Sequence, residues 1–252
     1  MSEFRFQQFS VIQTNSAMKV CTDAVIFGAM APVKLGDSTL DIGTGTGLLS
    51  LMVCQLGAGQ VTAVELTLPA YDEAALNFKN SPWATQLEAV YADIQRFATN
   101  SNIHYDFIIC NPPFFAEHSK AANQLRNTAR HTDQLSFDDL LNSVNRLLSP
   151  QGLFYVLLPI HAIEQFVVMA LAAGLYLNRQ IDMRGYAHNE AKVSALTFSR
   201  QTSGSDKQLL TIYKADRVYS EESESYLAQF LLRFAAKESN SRRSNGFFYK
   251  LT

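Results

Sequence analysis

Cysteine is scarce: Cys21, Cys54 and Cys110 are the only three in 252 residues, and no two stand in Cys-x-x-Cys spacing. That excludes a disulfide scaffold and a zinc ribbon, and reads as unpaired core thiols in a reducing compartment. Long apolar runs are also missing. The longest, FVVMALAAGLYL over 166–177, has 12 residues, against about 20 for a membrane span. The opening MSEFRFQQFSVIQTN has no apolar h-region and is not a signal peptide. These absences predict a soluble, cytoplasmic protein. Excess charge is lacking too. Lys plus Arg is 21 and Asp plus Glu is 23, net −2, so any contact with nucleic acid is local rather than global. Residues 1–150 carry 9 basic and 14 acidic side chains, net −5, and residues 151–252 carry 12 and 9, net +3. The C-terminal third is therefore the side better suited to a polyanion. With 47% hydrophobic and 17% charged residues, the chain is neither disordered nor of low complexity.

What is present is an alternation of strand and helix with no internal repeat and no linker between two cores. Short apolar runs at 38–42, 60–66, 87–93, 104–115 and 152–159 read as buried strands. The segments 46–57, 69–81, 136–152 and 161–174 carry helical spacing, Ser136 standing as an N-cap. Runs at 175–185 and 192–201 read as two further strands, with a weaker one at 208–215. Such alternation gives a doubly wound parallel sheet with right-handed crossovers and an antiparallel edge. The reading divides the chain into an N-terminal segment or lid at 1–35, the main α/β domain at 36–238 and a mobile tail at 239–252.

In an open α/β sheet, ligands bind beyond the carboxyl ends of the strands. There the sequence places Asp41-Ile-Gly43-Thr-Gly45-Thr-Gly47 after the first predicted sheet strand. A dinucleotide fingerprint needs glycine at 48, where Leu stands. Closely spaced glycines expose backbone to a ligand with no Cβ in the way. Asp41 before them repels a pyrophosphate and suits a cationic head group. Glu65 ends the second strand, where an acid accepts from ribose hydroxyls. Asp93 ends the third and can accept from an exocyclic amine.

Asn111-Pro112-Pro113-Phe114 ends the fourth strand. Two prolines fix φ and remove two donors, and Asn111 is held extended by the proline after it. The Asn111 side-chain oxygen and the Pro112 carbonyl are then paired acceptors, suited to the two hydrogens of an NH₂ group. Phe114 offers a face for a ring to stack on. An amine conjugated to an aromatic ring or carbonyl is a poor nucleophile; gripping both hydrogens pulls its nitrogen toward sp³ and frees the lone pair. Alignment and electrostatics carry most of such a rate enhancement.

In this order, Asp-x-Gly-x-Gly-x-Gly, Glu65, Asp93 and Asn-Pro-Pro-Phe resemble the amino-methylating class I S-adenosylmethionine-dependent methyltransferases. Across roughly residues 1–235 the chain is similar to the bacterial tRNA (adenine-N6)-methyltransferases that modify adenine 37 of a valine tRNA. Phe9-Ser-Val-Ile-Gln13, Ala17-Met-Lys-Val20, Thr22-Asp23-Ala-Val-Ile-Phe-Gly28 and Arg126-Asn-Thr-Ala-Arg130-His131 carry that likeness. The resemblance implies a Rossmann-like seven-stranded, mostly parallel sheet with S-adenosylmethionine across the glycine turn. Asp41, Gly43, Gly45 and Gly47 would border the cofactor, with Glu65 on its ribose, Asp93 near its adenine, and Asn111 to Phe114 on the target amine, Asn111 also bordering the cofactor. Two positions depart from the family pattern: Glu65-Leu-Thr67 lacks an Asp often found there, and Phe114 replaces a common Tyr. Phe is also used by guanine-N2 methyltransferases, so ribosomal RNA guanine, DNA adenine and protein glutamine stay open as acceptors.

Lys19, Arg126 and Arg130 are candidate phosphate contacts; the last two are four apart, so on a helix they would share a face. Thr22-Asp23 reads as a helix cap, and Trp83 as packing. His118 and His131 have no partners at metal-ligand spacing, so no metal is expected. The expected partner is tRNA, with the protein a monomer or weak homo-oligomer.

Overall fold

The computed structural model describes residues 2–14, 19–112, 135–202 and 204–235. In chain order the elements are β1 (Glu3–Arg5), β2 (Ser10–Ile12), α1 (Thr22–Ala29), β3 (Thr39–Ile42), α2 (Leu48–Leu56), β4 (Val61–Glu65), α3 (Leu68–Lys79), β5 (Leu87–Tyr91), α4 (Ile94–Asn100) and β6 (Tyr105–Cys110). They continue with α5 (Phe137–Leu147), β7 (Leu148–Pro159), α6 (Ile163–Ala172), β8 (Tyr176–Arg184), β9 (Val193–Ser199), β10 (Asp206–Thr211), β11 (Tyr213–Ala215), β12 (Val218–Tyr219) and α7 (Glu221–Leu227).

One sheet of eight strands, in the order β10-β8-β9-β7-β6-β3-β4-β5, organises the molecule. This is the expected mostly parallel, doubly wound α/β sheet, with one strand more than seven. The eighth is β10, which pairs parallel with β8 from Asp206↔Arg179 to Thr211↔Arg184. A Lys207–Asp182 ion pair at 3.3 Å and an Arg179–Gln208 hydrogen bond at 2.8 Å bridge that pair. The antiparallel strand does not lie at the edge as expected. It is β9, inside the sheet, pairing antiparallel with both β7 and β8. The short connection from Arg184 to Val193 cannot cross over, so the chain reverses and inserts between β8 and β7.

The strands β3, β4 and β6 alternate sides of a sheet covered on both faces, which is why they read as continuous apolar runs. One core packs α1, α2 and α3 against Phe107, Ile109 and Tyr155. The other packs α5 and α6 against Ile108, Phe154 and Phe198. Residues 1–35 share the first core through Phe6, Phe9, Val11 and the fully buried Phe27. Phe27 stacks on Tyr155 at 4.3 Å and 7°, and Trp83 packs edge-on against Phe9 at 5.9 Å. The sequence reading did not place the short strands β1 and β2, the brief helices α4 and α7, or the β11–β12 hairpin, each too short for a periodic signal. The run read as one strand over 208–215 breaks at Ile212, where the chain leaves β8.

Among the described residues, no helix is long and apolar enough to cross a membrane. Cys54 and Cys110 are buried, but Cys21 is exposed, which corrects its reading as a core thiol. Burial pushes the Cys54 thiol up to about 12, so it is inert.

Candidate active site

The strand order reverses at β3: the chain proceeds outward to β4 and β5, then returns to add β6 on β3's other side. This is the topological switch point, where a crevice opens beyond the carboxyl ends. Asp41 lies inside β3, Glu65 ends β4, Asp93 follows β5 and Asn111 follows β6. Since β6, β3, β4 and β5 are neighbours and parallel, the fold brings all four to one edge. Ile42 is in register with Cys110. Gly43 and Asn111, the next residues, therefore leave adjacent strands at the same edge.

The glycine turn is hooked over β4, with Gly43 N and Thr44 N donating to Val64 O at 2.9 and 3.2 Å. Gly43, Gly45 and Gly47 have φ of 70°, 58° and 83°, a region costly for any residue with a Cβ. They are not equivalent. A Cβ at Gly43 or Gly45 meets nothing within 4 Å among the described residues, whereas at Gly47 it would collide with Phe78 Cε1. The first two border open space where a ligand can touch backbone. Gly47 lets α3 pack against the start of α2, and Asn77 Nδ2 reinforces that contact by donating to Thr46 O at 2.8 Å.

Asp41 is fully buried. Its Oδ2 accepts from Thr44 Oγ1 at 2.6 Å and from Ser50 Oγ at 2.7 Å. Its Oδ1 has no hydrogen-bond partner among the described residues. Burial raises the carboxyl to about 6, against the hydrogen bonds from Thr44 and from the Ser50 side chain and backbone that lower it and with the nearby Glu65 charge adding to the rise. A buried, unpartnered carboxylate oxygen is costly, and such groups mark ligand sites.

Glu65 is 8% exposed and is held from both sides. Its Oε2 accepts from Gly45 N at 3.0 Å. Its Oε1 accepts from Thr67 N at 2.9 Å and Thr67 Oγ1 at 2.8 Å. Thus the Leu-Thr run departing from the family pattern supplies the donors that orient this acid. Leu66, between them, is 41% exposed and gives the edge an apolar face. Asp93 is half-buried and caps α4, its Oδ1 accepting from Gln95 N and Arg96 N at 2.9 and 3.0 Å.

Asn111 is half-buried and Pro112 buried. Among the described residues, none hydrogen-bonds the Asn111 side chain. Cys110 behind it is fully buried, its thiol pushed far up by burial and by Asp41. Pro113, Phe114, Arg126, Arg130, His118 and His131 lie outside the described residues. Lys19 is exposed. Thr22-Asp23 does not cap α1, correcting that reading: the cap position is Cys21, with no side-chain bond, and Thr22 Oγ1 instead meets Tyr213 OH at 3.2 Å. The supports that sequence reasoning missed are Thr44, Ser50, Thr67 and Phe78. Only a Ser or Thr falling near an acid signals the first three. Among the described residues, no cluster of His, Cys, Asp or Glu could hold a metal ion.

A ligand fitting this edge carries a cationic group for Asp41 Oδ1, hydroxyls for Glu65, and a compact body that touches the backbone at Gly43 and Gly45. S-adenosylmethionine has those features, and the residues present fit it.

The Methyltransferase small domain family model matches residues 17–152. A protein of Bacteroides fragilis named tRNA1(Val) (adenine(37)-N6)-methyltransferase is 40% identical over 233 residues, covering 91% of this chain and 98% of its own. A protein of the same name from Flavobacterium psychrophilum is 39% identical over 221 residues, covering 87% and 94%. Among solved structures, the predicted O-methyltransferase Atu636 of Agrobacterium tumefaciens superposes with a TM-score of 0.59 at 15% identity, over 81% of this chain and 94% of that one. The glycopeptide N-methyltransferase MtfA, in complex with S-adenosyl-L-methionine, gives 0.53 at 14% identity over 72% and 87%. These two likenesses establish the class I methyltransferase fold. The extended sequence identity goes further, and the chain belongs to the tRNA1(Val) (adenine(37)-N6)-methyltransferase family.

Proposed function

We propose that this protein transfers a methyl group from S-adenosylmethionine to the exocyclic N6 amine of adenine 37 in the anticodon loop of a valine tRNA, and works in the cytoplasm. The observation that carries the chemistry is the Ile42↔Cys110 register, which sets the Asn111-Pro112 corner beside Gly43 at the switch point. The choice of acceptor follows the names of the relatives.

S-adenosylmethionine, when bound, supplies a methyl group made electrophilic by its sulfonium. Asp41 Oδ1 would hold the cationic amino end, Gly43 and Gly45 would present backbone, Glu65 would accept from the ribose hydroxyls, and Asp93 would stand at the adenine side. Gly47 serves indirectly, by letting α3 support the turn. The Asn111 side-chain oxygen and the Pro112 carbonyl would accept the two amine hydrogens and so fix the direction of the nitrogen lone pair. The motif assigns Pro113 to a stiff corner and Phe114 to stacking on the base; both lie outside the described residues. On taking the methyl group the amine nitrogen would become cationic and its surplus proton would pass to water, so this chain need supply no base with a shifted pKa. A loop base is already unpaired, which lowers the cost of presenting it. Lys19, Arg126 and Arg130 meet phosphates.

The test is incubation with methyl-labelled S-adenosylmethionine and, in parallel, hypomethylated tRNA, rRNA, DNA and protein. The expected outcome is label recovered as N6-methyladenosine from tRNA alone. Label in N2-methylguanosine or in protein overturns the acceptor and keeps the corner's chemistry.

A further inference from the structure

Five aromatic rings form a ladder that the reaction described above does not use. His188 stacks on Tyr186 at 5.7 Å and 8°. Tyr186 meets Tyr213 at 5.5 Å, Tyr213 stacks on Tyr219 at 5.0 Å, and Tyr219 meets Phe234 at 6.1 Å. The Arg233 guanidinium closes the far end, 5.1 Å from the Tyr219 ring centre. The inner rings are half-buried, but His188 is exposed at the open end. A cleft of about 500 Å³ is lined there by Tyr186, His188, Tyr213, Lys214 and Asp216.

The position of the ladder gives it meaning. Tyr186 and His188 follow β8, and Tyr213 follows β10, two strands that run parallel to each other and end on the carboxyl edge. Counting along β6-β7-β9-β8, the end of β8 stands three strand spacings, about 14 Å, from the Asn111 corner. A short single-stranded stretch covers that span. Thr22 Oγ1 bonds the Tyr213 hydroxyl, so the chain leading from Lys19 is tied to the same place. Lys192, Lys214 and Arg217 are exposed around the cleft, alongside Glu190 and Asp216. Lys214 also pairs with Glu221 at 3.8 Å. The charge there is balanced, three basic side chains against three acidic, and the rings are the dominant feature. Stacked rings with a free outer face, at the edge that holds the reacting corner, suit an unpaired base.

We infer that the His188–Tyr186–Tyr213 ladder is a stacking platform for an unpaired nucleotide of the RNA substrate that neighbours the methylated one. This rests on the RNA-acceptor reading above. The platform holds the flanking base while the corner holds the target amine, so it acts on substrate binding rather than on transfer.

The test is steady-state methyl transfer to an unmodified valine tRNA transcript by the wild-type protein, His188→Ala, Tyr186→Ala and His188→Phe. Cofactor affinity is measured by calorimetry and folding by circular dichroism for each. His188→Ala should raise the KM for tRNA about tenfold, as removal of one stacking face does, with kcat and cofactor affinity unchanged. His188→Phe, which keeps a flat face and removes any charge, should restore the wild-type KM. An unchanged KM in folded His188→Ala overturns the platform, and so does failure of His188→Phe to restore it. No transfer to tRNA by the wild-type protein overturns the RNA-acceptor reading itself and the platform with it, so the two failures are told apart by the wild-type arm.

Discussion

Two aspartates at opposite edges of the same sheet have opposite surroundings. Asp106, near the start of β6, is exposed at the amino edge. Its Oδ2 accepts from Ser38 N and Ser38 Oγ at 3.1 and 2.8 Å, and its Oδ1 from Ser149 Oγ at 3.3 Å. The Ser38 side-chain bond is the main reason its carboxyl lies below the ordinary value. Asp41, toward the carboxyl end of the adjacent β3, is completely buried, lacks a partner on one oxygen and is raised to about 6. If stability alone shaped the molecule, the buried acid would be the saturated one. The inversion separates an amino-edge acid whose bonds serve the fold from a carboxyl-edge acid with one oxygen that no described residue satisfies.

The largest expected effect tests whether the carboxyl edge is itself divided between binding and transfer. Asn111→Ala removes one of the two acceptors on the amine and leaves Asp41, Glu65 and the glycine turn intact. Transfer should fall by about a thousandfold or more, the scale for a preorganised polar group at a reacting centre. Cofactor affinity measured by calorimetry should stay near the wild-type value. Near-normal turnover in this variant would defeat the proposed mechanism.

Asp41→Asn sharpens the contrast because two readouts should move in opposite directions. Losing a charged partner weakens cofactor binding by roughly 10- to 100-fold, the scale of a charge-assisted hydrogen bond. The unliganded protein should melt several degrees higher, since a buried charge with an unpartnered oxygen has been neutralised. The pH dependence follows the same logic. The folded carboxyl titrates near 6 and the unfolded one near 3.8, so between those values the native state holds the extra proton. Unliganded stability therefore falls as pH rises from about 4 to about 6 and is flat above, the full difference being roughly 3 kcal/mol. Cofactor affinity should rise through the same window as Asp41 ionises. Calorimetry from pH 5 to 8 giving a flat affinity, identical in wild type and variant, would remove Asp41 from the binding site.

Much of this division was legible in residue order. Gly43 through Gly47, the acids Asp41, Glu65 and Asp93, and the Asn111-Pro112 corner all fall where an apolar run stops, and each run proved to be a strand ending on one edge. What stayed hidden depends on contacts between distant segments. Nothing local to Gly47 shows that Phe78 would strike a Cβ there, so three glycines that look alike in sequence divide into two roles. Thr67 reads as a departure from a pattern until its two donors are seen on Glu65. The position of β9 inside the sheet follows from a short connection between two strands, which periodicity does not register. The aromatic ladder is scattered over residues 186–234, and only the endings of β8 and β10 gather it.

The smallest expected effect is at the amino edge. Asp106→Ala deletes an acceptor of three hydrogen bonds at an exposed position. Stability should fall by about 1 kcal/mol, or 2–4 °C in melting temperature for a chain of this size. Its acid dependence opposes that of Asp41. A carboxyl depressed in the folded state contributes stability above its ordinary 3.8 and loses it as pH falls through the folded value. Urea titrations should therefore separate variant from wild type fully at pH 7 and bring them together in strong acid. Cofactor affinity and turnover should be unchanged, because Ser38 and Ser149 lie at the far end of the strands from Gly43. A shift in cofactor affinity would show that the two edges are coupled through β3 and β6, and the separation argued from Asp41 would fail.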